Sequence, residues 1–200
     1  MPLPAPDAEL LKIIDSNFAD AARRAGEHLV CRIGCTQCCH GAFAIDALDA
    51  QRLKAGMKAL RAADPSTAEA VKLRARAWIA EYGAEFPGDA STGLLGTSDE
   101  DQASFEEFAN DAPCPALDPT TGRCDVYPWR PMTCRLFGPP VRSVNDEGDE
   151  GLGHCELCFT TATDAQIAAA EMQVPHELEA ELLAETGDDR ETLVAFALLR

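Results

Sequence analysis

Positive charge is scarce in this chain. Seventeen Lys and Arg stand against 34 Asp and Glu, a formal net charge of −17, and residues 77–122 contain no Lys or Arg at all. So acidic a surface repels phosphate backbones and anionic lipid headgroups, which argues against nucleic acid and membrane as partners. A metal cation or a basic protein partner remains compatible. Long apolar runs are missing too: no stretch approaches the roughly 20 residues that a membrane-crossing helix needs. The opening "MPLPAPDAELLKIID" has neither the basic start nor the apolar core of a signal peptide, so the expected location is cytoplasmic. Several catalytic signatures are also lacking: there is no nucleophile elbow, no phosphate-binding glycine loop and no His-Glu-x-x-His pair. Whether the chain is an enzyme is left open.

What the chain has in excess is sulfur. Four of its nine cysteines fall within "CRIGCTQCCH", residues 31–40. At 200 residues with 46% hydrophobic content, the protein can build an ordinary core and needs no disulfide staples. Nine is also an odd number, so one chain cannot pair all its cysteines. In a cytoplasmic setting such clusters are more often metal ligands or redox groups.

The rest of the sequence reads as a helical scaffold. Leu10, Ile14, Phe18, Ala21, Ala25 and Leu29 recur at helical steps and predict a helix over 7–30. Leu53, Met57 and Leu60 mark a second helix over 44–63. Asp64-Pro65-Ser66 stops it and starts a third, with Val71, Ala75, Trp78, Ile79 and Tyr82 on its buried face. Residues 83–113 read mainly as an acidic loop, with a short helix capped by Ser98 as the alternative. The 27 residues from Cys114 to Pro140 then hold three cysteines and six prolines. Within them "DPTTG" is a turn signal, placing Cys114 and Cys124 on a short hairpin. A Gly- and acid-rich loop follows from 145, and the last 40 residues return to helix. The expected fold is therefore mainly α: one small helical domain over 1–200, with an irregular, hairpin-containing, cysteine-rich insert that binds metal.

The cysteines fall into three sets: Cys31, Cys35, Cys38 and Cys39; Cys114, Cys124 and Cys134; Cys155 and Cys158. Thiolates are soft donors that select zinc and iron–sulfur clusters. A Cys-x-x-Cys step, as in "CTQC" and "CELC", lets two sulfurs face one ion or cluster. All nine are candidate ligands, enough for two four-sulfur sites with one left over, or for one site and a reactive pair. The first two sets are expected to meet in space, Cys134 included. Beside so much sulfur, His28, His40 and His154 are not needed as ligands. Arg130 and Arg135 would either offset thiolate charge or form ordinary ion pairs. Tyr127 and Trp129 would either shield the site or simply fill core.

These motifs carry a resemblance. The run Cys31-x3-Cys35-x2-Cys38-Cys39, then Cys114, then "CDVYPWRPMTCR" from Cys124 to Arg135, resembles the YkgJ-type cysteine-cluster family. That family is described as a zinc- or iron-chelating domain, its members are often labelled iron–sulfur proteins, and flagellin lysine methylases carry a similar cluster. It opens on Cys-x-x-Cys-x-x-Cys-Cys, one residue shorter than here in the first gap. Its second motif matches Cys124, Val126, Tyr127, Arg130, Pro131, Cys134 and Arg135 at the same spacing, and its last cysteine corresponds to Cys155 or Cys158. The resemblance implies metal binding over roughly 28–160. Cys31, Cys35 and Cys38 also have the spacing of radical S-adenosylmethionine enzymes. Those enzymes usually place an aromatic before the third cysteine, where this chain has Gln37, and they need most of a β/α barrel.

Three functions fit. The first is a cysteine-cluster metal-binding protein, with an iron–sulfur cluster or zinc in a structural, metal-handling or electron-transfer role. The second is a cluster-dependent oxidoreductase or protein-modifying enzyme. The third is a zinc-stabilised protein-interaction module.

Overall fold

The computed structural model describes residues 3–4, 6–32, 34–144, 148 and 150–200. It is mainly helical, with eight α-helices and a few short strands among those residues. No helix is long and apolar enough to cross a membrane. The chain divides into two compact units, Met1–Leu3, Ile33–Pro131 and Leu183–Arg200 in one, and Pro4–Arg32 and Met132–Leu182 in the other.

The first unit is organised by a helical hairpin, α2 (Ala47–Ala63) and α3 (Pro65–Tyr82). Asp46 caps α2, its carboxylate accepting the Asp49 N–H at 2.7 Å. Asp64 ends α2 and starts α3, accepting the backbone N–H groups of Ser66 and Thr67 at 3.1 Å each. Pro65 fills the first helical position, where a missing N–H costs nothing. The apolar stripes meet as expected: Leu53, Met57, Val71 and Ala75 are buried together with Ile45, Val126, Val194 and Leu198. Gly56 lets the second half of α2 approach the chain closely, because a Cβ there would lie 2.6 Å from Trp129 Cβ.

A four-stranded antiparallel sheet completes this unit, in the order β1 (Ala44–Ile45), β8 (Thr192–Leu193), β3 (Leu94–Leu95), β2 (Gly88–Asp89). Ala44 pairs with Leu193, and Thr192 pairs with both Ile45 and Leu94. The C-terminal segment, expected as helix throughout, thus becomes a strand before turning into the four-residue α8 (Val194–Ala197). Inserting a strand between two distant ones satisfies backbone groups that a helix end would leave open. Trp78, Phe86, Phe108 and Phe196 form an aromatic cluster beside the sheet. Residues 83–113, read mainly as loop, contain β2, β3 and α4 (Asp99–Glu106). Ser98 does cap α4, accepting the Asp101 N–H while the Asp101 carboxylate accepts the Ser98 N–H. The DPTTG turn joins β4 (Leu117–Asp118) to β5 (Arg123–Cys124), with Leu117 opposite Cys124.

The second unit begins with α1 (Asp7–Ala25). Leu10, Ile14, Ala21 and Ala25 are buried on one face, as the spacing predicts. The helix stops at Ala25 rather than continuing to 30, because Gly26 adopts φ +55 and breaks the pattern. Packed in the same unit are α5 (Met132–Leu136), the hairpin β6 (Val141–Val144) with β7 (Glu150–Gly153), α6 (Asp164–Ala169) and the start of α7 (His176–Thr186). Within the expected Gly- and acid-rich loop from 145, Glu150–Gly153 forms the second strand of this hairpin; Asn145, Asp146, Glu147 and Asp149 lie outside the described residues. Arg24 donates to the carbonyls of Ala169 and Glu171 at 2.9 and 2.7 Å, tying α1 to the end of α6. Arg135 is almost fully buried and ion-paired with Asp15 at 2.8 Å.

Candidate metal centre

Five cysteines belong to the first unit: Cys35, Cys38, Cys39, Cys114 and Cys124. The loop that carries the first three is bent by Gly34 and Gly41, at φ +89 and +100. Few non-glycine residues adopt such angles. Between them Gln37–Cys39 makes one tight turn, with the Cys39 N–H donating to the Thr36 carbonyl at 2.8 Å. From there the chain runs alongside residues 112–114. The Cys114 N–H donates to the Cys39 carbonyl at 2.7 Å, the Gly41 N–H donates to the Ala112 carbonyl at 2.9 Å, and His40 bridges to Pro113. The tip of the β4–β5 hairpin returns to the same loop: a Cβ on Gly122 would lie 3.4 Å from Gly34 Cα. Cysteines about 75 residues apart in sequence are thereby brought onto one small patch.

Arg74 of α3 holds the hairpin in place. It donates to the Pro115 carbonyl at 2.9 Å and pairs with Asp125 at 2.5 Å. Nothing local in the sequence marks Arg74 for this task, since it lies one step off the apolar stripe of α3. Trp129 packs against α2 at Gly56. Tyr127 is 58% exposed with the Arg130 guanidinium 4.0 Å over its ring.

The electrostatics single out the adjacent pair. Cys38 is held well below the usual thiol range, chiefly by the hydrogen bond from the Cys39 thiol, with the Arg130 charge helping. Cys39, which keeps the proton, is displaced upward by that same bond and by burial. Burial pushes the Cys114 thiol up to about 12 and raises Cys124 as well. Cys38 and Cys124 are near enough for their charges to interact, as are Cys39 and both Cys114 and Cys124. A cation placed among these sulfurs would relieve both the burial penalty and their mutual repulsion.

The other four cysteines, Cys31, Cys134, Cys155 and Cys158, belong to the second unit. Cys31 Sγ lies 3.9 Å from Cys158 Sγ. Cys155 and Cys158 span one turn closed by the Cys158 N–H donating to the Cys155 carbonyl at 2.8 Å, and both are buried beside Ala25, Phe159 and Ala170. Cys134 lies on α5 of this unit.

Among the described residues no disulfide is formed. Among the described residues, no group of three or more His, Cys, Asp or Glu side chains already stands in metal-binding geometry. As thiolate donors the cysteines suit a soft metal, and the Arg130 charge favours the thiolate form of Cys38. The histidines have other partners. His40 Nδ1 is 3.0 Å from the Thr36 carbonyl, His28 contacts the Gln166 amide at 3.2 Å and stacks on Phe159, and His154 tilts onto the same ring.

The family model of the CxxCxxCC domain, described as "Putative zinc- or iron-chelating domain", matches residues 30–167. The chain belongs to this family. The matched span contains all nine cysteines. No curated protein and no solved structure matches the chain. The family assignment supports a metal ion as partner and leaves zinc and iron as alternatives.

Proposed function

We infer that the chain is a thiolate metal-binding protein whose first unit holds an iron–sulfur cluster or a zinc ion through sulfurs drawn from Cys35, Cys38, Cys39, Cys114 and Cys124. The observation that carries this reading is the backbone pairing of Cys39 with Cys114. It joins the CxxCxxCC loop to the cysteine hairpin. Such pairing sets two ends of a ligand shell close together, so that a bound metal would fasten the loop to the hairpin. When bound, the metal would neutralise the clustered thiolates and lock hairpin to loop.

The reading favours a closed, fold-organising or electron-carrying site over a substrate-turning one. The cavity beside Cys114 is about 20 Å³, room for one water, whereas small-molecule sites run to several hundred Å³. Purification without oxygen, followed by elemental analysis and an absorption spectrum, tests it. Brown protein with iron and acid-labile sulfide identifies a cluster; colourless protein with zinc identifies the ion. Protein that retains neither metal, and whose Cys39, Cys114 and Cys124 alkylate at the same rate with and without added metal, overturns the reading.

A further inference from the structure

The site of the first unit leaves the sulfurs of the second unused. Among these, Cys31 Sγ and Cys158 Sγ lie 3.9 Å apart, although the two residues are 127 positions apart in sequence. Their surroundings fix the approach. The Phe159 N–H donates to the His28 carbonyl at 2.9 Å, tying the residue after one thiol to the segment that leads into the other. A Cβ on Gly138 would sit 3.0 Å from Cys31 Sγ, so glycine there lets that sulfur lie against bare backbone. Phe159 takes φ +57, an uncommon value for a bulky residue, which persists only where the surrounding structure fixes the turn. A disulfide holds its sulfurs about 2.05 Å apart. Closing this pair takes a further approach of about 2 Å, within reach of a side-chain rotation at exposed Cys31.

The two thiols are unequal. Cys158 is 1% exposed and packs with Ala25, Phe159 and Ala170, whereas Cys31 is exposed. A reagent in solution therefore meets Cys31 first, with Cys158 behind it. The rival pair, Cys155 with Cys158, has no such entry point, because both of its members are buried. A cavity of about 290 Å³ opens between the chain neighbours of both thiols, Val30 before Cys31 and Leu157 and Phe159 on either side of Cys158. That volume lies at the lower end of small-molecule sites. Val30 and Leu157 offer apolar surface, and Glu27, Thr160 and Thr161 offer oxygen acceptors. Among the described residues no Lys or Arg lines it, so in a chain of net charge −17 it suits a cationic guest.

We propose that Cys31 and Cys158 are a redox-active dithiol that exchanges with small disulfides of the aminothiol class seated in this cavity. The Cys31 thiol gives up its proton, and its sulfur attacks one sulfur of the small disulfide. That S–S bond breaks, a mixed disulfide forms on Cys31, and the departing half takes the proton and leaves as a thiol. Cys158 then loses its proton and attacks Cys31 Sγ, expelling the second half, which takes that proton and leaves as a second thiol. Two protein thiols are oxidised to one disulfide, and one small disulfide is reduced to two thiols. Excess thiol runs the same steps backwards and resets the pair. The exchange draws on none of the five cysteines of the first unit.

The test titrates the full chain, purified reduced and without oxygen at its native metal load, with the aminothiol disulfide cystamine. Remaining thiols are blocked with N-ethylmaleimide and the links mapped by peptide mass; the titration is then repeated after chelation. Cys31–Cys158 is expected as the first disulfide in both, and dithiothreitol should reopen it. This map needs no variant. In Cys158→Ser the reaction should stop after its first step, with cysteamine trapped on Cys31. Cystamine should react with Cys31 at least about fivefold faster than dithiodiglycolate, an acidic disulfide, the effect of one unit charge about 4 Å away in water. A first disulfide between Cys155 and Cys158 overturns the proposal. So does wild-type protein that keeps the cysteamine adduct on Cys31, or a Cys31–Cys158 bond that forms only after chelation, since the metal-loaded protein would then have no free pair. Equal rates with the two reagents overturn the aminothiol assignment.

Discussion

Replacing Gly56 by alanine sets two effects of opposite sign against each other. Gly56 lies inside α2, where Gly costs about 1 kcal/mol relative to Ala. On propensity alone the variant gains that amount. The structure places the new Cβ 2.6 Å from both Cβ and Cγ of Trp129 and 2.8 Å from Cδ2, against 3.4–4 Å for an ordinary contact. The nearest atom is tied directly to the Trp129 backbone, so the side chain cannot simply swing away. Overpacking of this kind costs about 1–3 kcal/mol, and contact with a backbone-anchored atom puts this case in the upper part of that range. The net expectation is a loss of about 1–2 kcal/mol, read as a lower urea midpoint by about 0.5–1 M. Because Trp129 follows Cys124 in the turn that seats against α2, hydrogen exchange across 124–130 should also speed up. The measurement belongs on full-length protein at one fixed metal load. A Gly56→Ala protein as stable as wild type, or more so, would show that α2 does not press on Trp129 and that the helix does not position the hairpin.

Arg74→Ala should free the hairpin by removing its bonds to Pro115 and Asp125. A loss of about 1–3 kcal/mol, with faster exchange confined to 114–125, is expected in chemical denaturation and hydrogen exchange; unchanged exchange there contradicts the anchoring role. The α3 cap should be acid-sensitive. Hydrogen bonds from Thr67 and Ser66 hold Asp64 down at about 2, below the ordinary carboxylate value of about 3.9. Its contribution is therefore complete above that value and is lost as pH falls toward about 2. An NMR titration of Asp64 with a midpoint at the ordinary value would refute this, and Asp64→Asn should flatten the pH dependence of the Ser66 and Thr67 amides. Removing metal with a strong chelator under reducing conditions should loosen 34–41 and 113–125 while α2 and α3 keep their protection, and Cys124→Ser should do nearly the same. Equal protection of those segments with and without metal would mean that the thiols do not organise them.

The sequence by itself determined the helical frame and the chemistry. The stripe from Leu10 to Ala25, the Asp64-Pro65 restart and the DPTTG turn are local signals, and each produced the element it predicts, because helix periodicity, capping and turn geometry act within a few residues. The cysteine spacing was local as well, enough to point to a soft metal and to the family. Only the tertiary structure decided which distant segments pair. The Cys114 N–H donates to the Cys39 carbonyl, across a gap of about 75 residues. The strand at Thr192 pairs with both Ile45 and Leu94, and its two residues are too few to show any period. Such pairings depend on where a chain returns after 50 or 100 residues. The return is fixed by the burial of whole faces and by backbone hydrogen bonds across the fold, neither of which leaves a pattern in neighbouring residues.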